Sequence, residues 1–163
     1  MITLYAQHTE ETGQDFETGV VDYVFEQTGG QPWLVNALGY EACFKAEGER
    51  DRSRPITMEI MLEVRERLIE RRDTHLDQLT NQLREPRVHK VISELLGGDI
   101  EAGVTPPNED DQLYVQDLGL IRTRPQTEIA NPIYREIIPR ALTGVCQQSC
   151  PVMFTIIYKL FVP

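Results

Sequence analysis

Nucleophiles, bases and metal ligands are scarce in this chain. It has three lysines, three histidines and three cysteines among 163 residues. A P-loop needs Gly-x4-Gly-Lys-Ser/Thr, because successive backbone amides and the lysine wrap the phosphates together. Lys45, Lys90 and Lys159 follow Phe44, His89 and Tyr158, so none follows a glycine. Nor does any run of four apolar residues end in Asp or Glu, as a metal-holding strand of an ATPase would require. The residues present therefore exclude ATP hydrolysis by this chain alone. Cys146-Gln-Gln-Ser-Cys150 has no second ligand pair, and no His-Glu-x-x-His stands anywhere, so zinc and redox chemistry gain no support. His8 is expected in a loop, and His75 and His89 on separate helices. No catalytic residue and no metal ligand emerges.

Two segments carry more. In Thr28-Gly-Gly-Gln-Pro-Trp-Leu-Val-Asn36, two glycines permit a tight backbone corner and proline fixes the entry to a helix. The next turn presents backbone amides, so such a corner can touch a ligand without a charged side chain. An ordinary turn between two helices explains the same residues. The second segment runs from Asn108 to Ile121 and resumes over Ile129-Ala-Asn-Pro-Ile-Tyr134. Were its helix a DNA reader, Glu109, Asp110 and Asp111 would meet phosphate in the first turn and be repelled. Between Glu85 and Arg140, ten acidic residues oppose six basic ones. Arg122 and Arg124 are the local exception and the candidates for nucleic-acid contact.

The elements that position these segments follow from apolar spacing and punctuation. Thr12-Gly-Gln-Asp15 has the order of a capping box, predicting a first helix over 15–28 that ends at Gly29-Gly30. Pro32 opens a second, apolar on most sides, that runs to Ala46 and stops by Gly48. A charged loop over 47–54 follows, then a helix capped by Thr57 with Ile60, Val64 and Leu68 inward. Asp73-Thr74 breaks the chain before a short helix bearing Leu76, Leu79 and Leu83. Pro86 starts a helix burying Val88, Val91, Ile92, Leu95 and Leu96. Asn108 caps another through Leu118. Strands at Leu120-Ile121-Arg122 and Glu128-Ile129-Ala130 flank a turn at Pro125, and Pro132 begins a last helix that Pro139 should kink or end. The fold class is mainly α: a four-helix lid-like array over 1–84, a winged helix-turn-helix with a short β-hairpin over 85–142, and an apolar tail over 143–163.

Gly30-Gln-Pro32 resembles the Gly-x-Pro corner of the lid in archaeal-type AAA and STAND ATPases. Tyr114-Val-Gln-Asp-Leu-Gly-Leu-Ile121 with Ile129-Ala-Asn-Pro-Ile-Tyr-Arg-Glu-Ile-Ile-Pro-Arg140 is similar to the winged helix that follows that lid in AAA-like ATP-binding proteins. The likeness spans roughly residues 1 to 142. It implies that Pro32 lies against adenine, with Gly30 shaping the corner, while the triphosphate is held by a P-loop domain supplied in cis or in trans. ATP is thus implied for the parent protein, and no cofactor for this chain by itself. Arg135 and Arg140 match the motif text without an implied role, and no arginine matches a sensor arginine.

The formal charge of −10 counts against nucleic acid as a partner and suits a solvated surface or a basic protein client. No leader and no stretch of about 18 apolar residues is read, so a cytoplasmic protein with no membrane segment is expected. All 26 acidic residues fall at or before Glu136, and Lys159 is the one charge after Arg140. The tail therefore reads either as a frameshifted or truncated end, or as a final strand alternating Val152, Phe154, Ile156 and Tyr158. The leading expectation is a non-catalytic regulatory or mechanical module of an AAA-like protein. A stand-alone winged-helix DNA binder and a protein-protein adaptor are the alternatives.

Overall fold

The computed structural model describes residues 2–45, 51–70, 74–97 and 107–149. Among them are eight helices and one two-stranded antiparallel sheet. The chain divides into two compact units after Arg71.

The first unit holds α1 (Ile2–Thr12), α2 (Val20–Thr28), α3 (Pro32–Phe44) and α4 (Met58–Glu70). Its opening departs from the sequence expectation. Thr12 does not cap a helix; its hydroxyl donates back to the His8 carbonyl at 2.7 Å and accepts from the Gln14 amide. Gly13 and Gly19, at φ +73° and +91°, interrupt the chain on either side of an extended stretch. The helix expected from Asp15 accordingly begins at Val20, and an unanticipated helix precedes it, with His8 on α1 instead of in a loop. Between the glycines Phe16 pairs with Ile56 in a parallel bridge. The Glu17 amide donates to the Ile56 carbonyl, and the Glu17 carboxylate accepts from the Met58 amide at 2.7 Å. With Thr57 accepting from the Ile60 amide, α4 has the start that its threonine foretold.

Pro32 occupies the first turn of α3, where its missing N–H costs nothing. The helix ends at Phe44 with Lys45 as its cap; Gly48, the expected stop, lies outside the described residues. Leu34, Leu38 and Ala42 are fully buried, which makes α3 the centre of the unit, packed on α2 and α4. Each such leucine contributes roughly 1.5–3 kcal/mol by leaving water. On α4, Met61, Val64, Leu68 and Ile69 face inward, and Ile60 is half-buried. α1 joins through Tyr5, whose hydroxyl donates to the Val35 carbonyl at 3.0 Å and whose ring stands edge-on to Phe16. Gly39 makes room for that ring: a Cβ there would lie 3.3 Å from the tyrosine oxygen.

The second unit holds α5 (Thr74–Arg84), α6 (Pro86–Leu95), α7 (Glu109–Asp117), β1 (Ile121–Arg122), β2 (Glu128–Ile129) and α8 (Pro132–Ser149). α5 packs on α6 and α8, and its Leu79 and Leu83 are buried. Pro86 opens α6, which buries Val88, Val91 and Ile92, while Leu95 and Leu96 are half-buried. Asn108 and Asp111 form a reciprocal capping box on α7. Gly119, at φ +73°, turns the chain into β1. The register places Ile121 opposite Ile129 on the buried face and Arg122 opposite Glu128 outside, a cross-strand ion pair at 2.8 Å. Asn131 accepts from the Tyr134 amide at 2.8 Å and Pro132 takes the first turn of α8. That helix runs through Pro139 to Ser149, so of the kink or end expected at the proline, the end is not seen. Ile137, Ile138 and Leu142 are buried around the proline, and this packing offsets the hydrogen bond it cannot make. The strand expected over 152–159 lies outside the described residues.

Candidate functional site

The corner between α2 and α3 is built from backbone conformations that only glycine adopts readily. Gly29 and Gly30 both sit in the left-handed region, at φ +59° and +76°. The Gly29 amide closes α2 on the Phe25 carbonyl, and the Gln31 amide returns to the Thr28 carbonyl at 3.1 Å. Buried Thr28 clamps the turn from beneath, its hydroxyl donating to the Val24 carbonyl and accepting from the Gly30 amide. Pro32 emerges exposed, and no side chain caps the start of α3. The corner therefore pairs an outward proline with an uncapped positive helix end.

Sequence reasoning missed Phe25. Its ring is 54% exposed, and a Cβ on Gly30 would lie 3.1 Å from its Cε2, so the aromatic edge runs along the glycine. The signal was available: an aromatic on the polar side of α2, one turn before a Gly-Gly stop.

In the second unit the acidic start of α7 is tied to α6. Asp111 accepts from Arg87 Nε at 2.9 Å and from Lys90 Nζ at 3.1 Å. The Arg87 hydrogen bond first, and that from Lys90 second, hold its carboxyl below the usual carboxylate range. Arg87 also lies over the Tyr114 ring, 4.6 Å from its centroid, and the Tyr114 hydroxyl donates to Glu85 at 2.9 Å. Both cations of α6 are thus matched by an internal carboxylate. On the hairpin, Glu128 holds Arg122 from one side and Arg135 from the other, with Arg135 at 2.9 Å. Arg124 is exposed beside the cis Arg124–Pro125 peptide, with no ion-pair partner among the described residues. Arg140 lies within 3.8 Å of Glu136. The two arginines singled out as nucleic-acid contacts consequently differ, since Arg122 is engaged and Arg124 is open.

Among the described residues no three His, Cys, Asp or Glu side chains gather as a metal site, and no helix is long and apolar enough to cross a membrane. Cys43 is buried, and burial pushes its thiol up to about 11 against a smaller opposing pull from Arg52. A neutral buried thiol is a poor nucleophile. Comparison with protein-family models, with curated proteins and with solved structures finds no match.

Proposed function

We propose that the chain is a non-catalytic lid and winged-helix module of an AAA-like ATP-binding protein, coupling the nucleotide state of a P-loop domain to a partner. The observation that carries this reading is the Gly29-Gly30-Gln31-Pro32 corner: an exposed proline and an exposed Phe25 edge beside the uncapped start of α3. Such a surface suits the flat apolar face of a purine, and the corner residues 28–32 themselves carry no basic side chain. The order α6, α7, hairpin, α8 supports a winged helix in the second unit. On this reading Pro32 and Phe25 cover the base, and the phosphates are gripped by the P-loop domain.

Isothermal titration of the chain with ATP tests the proposal. The expected result is no tight binding and no phosphate release. Micromolar affinity with turnover would overturn it. If a P-loop partner is identified, Pro32→Ala is expected to weaken nucleotide binding by the pair while leaving the helical circular dichroism unchanged.

A DNA-binding reading draws on Arg124 and the hairpin. Against it, Arg87 and Lys90 are spent on Asp111, and the chain carries −10 overall. A mobility shift with duplex DNA at low salt separates the two, with no retardation expected.

A further inference from the structure

α1 is held differently from the other helices of its unit. α3 packs broadly on α2 and α4, while α1 forms no such extended packing among the described residues. Tyr5, 3% exposed, is the one buried side chain described on it, and Leu4 beside it is 43% exposed. Among the described residues, the hydrogen bonds and ring contacts that carry α1 past Gln14 come from two side chains. Tyr5 sets its ring edge-on to Phe16 and donates to the Val35 carbonyl at 3.0 Å. His8 meets the Phe16 and Phe44 rings edge-on, each at 5.8 Å, and its Nε2 lies 3.3 Å from Arg52 Nη1. The Val35 carbonyl belongs to α3 and has a helical amide as well, so releasing Tyr5 orphans no backbone group.

The chain just beyond α1 is fixed. Gln14, itself buried, accepts from Arg52 at 2.8 Å and donates to the Arg54 carbonyl at 3.1 Å. The Ile56 amide donates to the Asp15 carbonyl at 2.8 Å, and the bridge from Phe16 to Ile56 follows. Between α1 and this anchored strip stands Gly13 at φ +73°, with no atom within 4 Å of where a Cβ would be, so the chain can rotate there without collision. Short bonds from His8, Thr9 and Thr12 to Gln14 close the turn; they are part-buried, and water can replace them. Beneath the helix, Tyr5 reaches Val35 and Gly39 while His8 reaches Phe44. Those contacts bracket Cys43, one turn after Gly39 and 3% exposed, and Tyr5 and Cys43 are near enough for their charges to interact. α1 therefore lies over the one cysteine of residues 1–71.

We propose that α1 is a strap that swings out as a unit about Gly13 while α2, α3 and α4 stay folded, baring the Val35–Gly39–Cys43 side of α3 and opening access to Cys43. Tyr5 is its latch and His8 a second, weaker tie. A segment with one buried side chain belongs at the low end of the openings available to a folded chain, well short of global unfolding. An isolated helix of 11 residues is marginal in water, so the order of α1 depends on those two anchors. The opening is independent of the nucleotide reading, because neither Pro32 nor Gly30 takes part in it.

The test is the rate at which iodoacetamide labels Cys43 in the full chain across a urea series, read by mass spectrometry of the peptide that holds it. Release of a strap exposes little surface. The rate at low urea should therefore lie well below that of the unfolded chain, vary little with denaturant, and join the steep global branch only near the transition. Tyr5→Ala removes the latch and should raise the low-urea rate about 100-fold with the helical circular dichroism nearly retained. Val24→Ala, a cavity on α2 away from the strap, should lower the urea midpoint and leave the low-urea rate unchanged. If Tyr5→Ala does not fold, the urea series on the unaltered chain decides. A rate that follows global unfolding at every urea concentration overturns the proposal, as does native labelling as fast as that of the unfolded chain. So does a folded Tyr5→Ala labelled at the unaltered rate, or equal acceleration by Val24→Ala.

Discussion

The contact between α1 and α3 can be tested through Gly39. In the middle of a helix, alanine in place of glycine is favoured by about 1 kcal/mol. Here the new Cβ would stand 3.3 Å from the Tyr5 oxygen and 3.4 Å from Cζ. That oxygen has little freedom, because it donates to the Val35 carbonyl at 3.0 Å and Tyr5 is 3% exposed. Crowding of this kind costs about 1–3 kcal/mol. Gly39→Ala should therefore leave the first unit destabilised by about 0–2 kcal/mol. Tyr5→Phe removes one hydrogen bond, at about 1 kcal/mol, while the Val35 carbonyl keeps its helical amide. It also removes the closest atom facing Gly39. In the double variant the next contact is ordinary van der Waals packing, so the helix preference of alanine is recovered. The double variant should then be more stable than the sum of the singles by about 1–3 kcal/mol, the crowding that the lost hydroxyl relieves. Urea unfolding followed by fluorescence reads the correct unit, because Trp33, on α3, is the sole tryptophan. Singles that add within about 0.5 kcal/mol, or a stabilising Gly39→Ala in the unaltered background, would refute the packing argument.

Alkaline pH should weaken the same unit. Cys43 is raised from 9.0 to about 11 by burial, so its contribution is complete below pH 9 and lost as pH rises toward 11. Buried Tyr5 is raised too and acts in the same direction from its ordinary value upward. Trp33-monitored urea midpoints should fall between pH 8 and pH 10.5, and Cys43→Ala should flatten the early part of that fall. In the second unit the sign reverses. Asp111 is lowered chiefly by Arg87, so its contribution is present above the ordinary carboxylate value and lost as pH falls through its depressed one. Asp111→Asn should lower stability at pH 7 and reduce the acid dependence, measured by far-ultraviolet circular dichroism of a truncation beginning at residue 72 or of the whole chain. Glu128→Gln frees Arg122 and Arg135 beside Arg124. It should give weak, salt-sensitive duplex binding where the unaltered chain shows none, and an unchanged gel shift would count against charge as the barrier.

Helix starts were legible wherever a single residue carries the signal. Pro32, Pro86 and Pro132 stand in first turns and Asn108 caps α7, because these roles depend on neighbours within one turn. The hairpin was legible for the same reason, with Ile121 and Ile129 alternating against Arg122 and Glu128. α1 was not. Tyr5 is the one buried apolar residue described on it and Leu4 is exposed, so no apolar stripe marks it. Thr12 misled because its hydroxyl can serve a helix ahead or the carbonyl behind, and Gly13 decides for the latter. Pro139 does not end α8, because a local rule met a buried helix face. Arg52 was invisible within its charged loop, since its partners Gln14 and His8 lie 38 and 44 residues away. Of the nucleotide corner, Gly30 and Pro32 could be read from type and spacing, whereas Phe25 required knowing which way its ring turns.

Two adjacent residues on the mirror-image side of backbone space make the Gly29–Gly30 corner a stereochemical filter. The ribosome has one achiral residue to place there, and a D-amino acid introduced by chemical ligation is the other solution without steric penalty. Thr28 is committed beneath the turn. Diversity at this corner is left to Gln31 and Pro32, so a new ligand preference would have to be written in those two side chains.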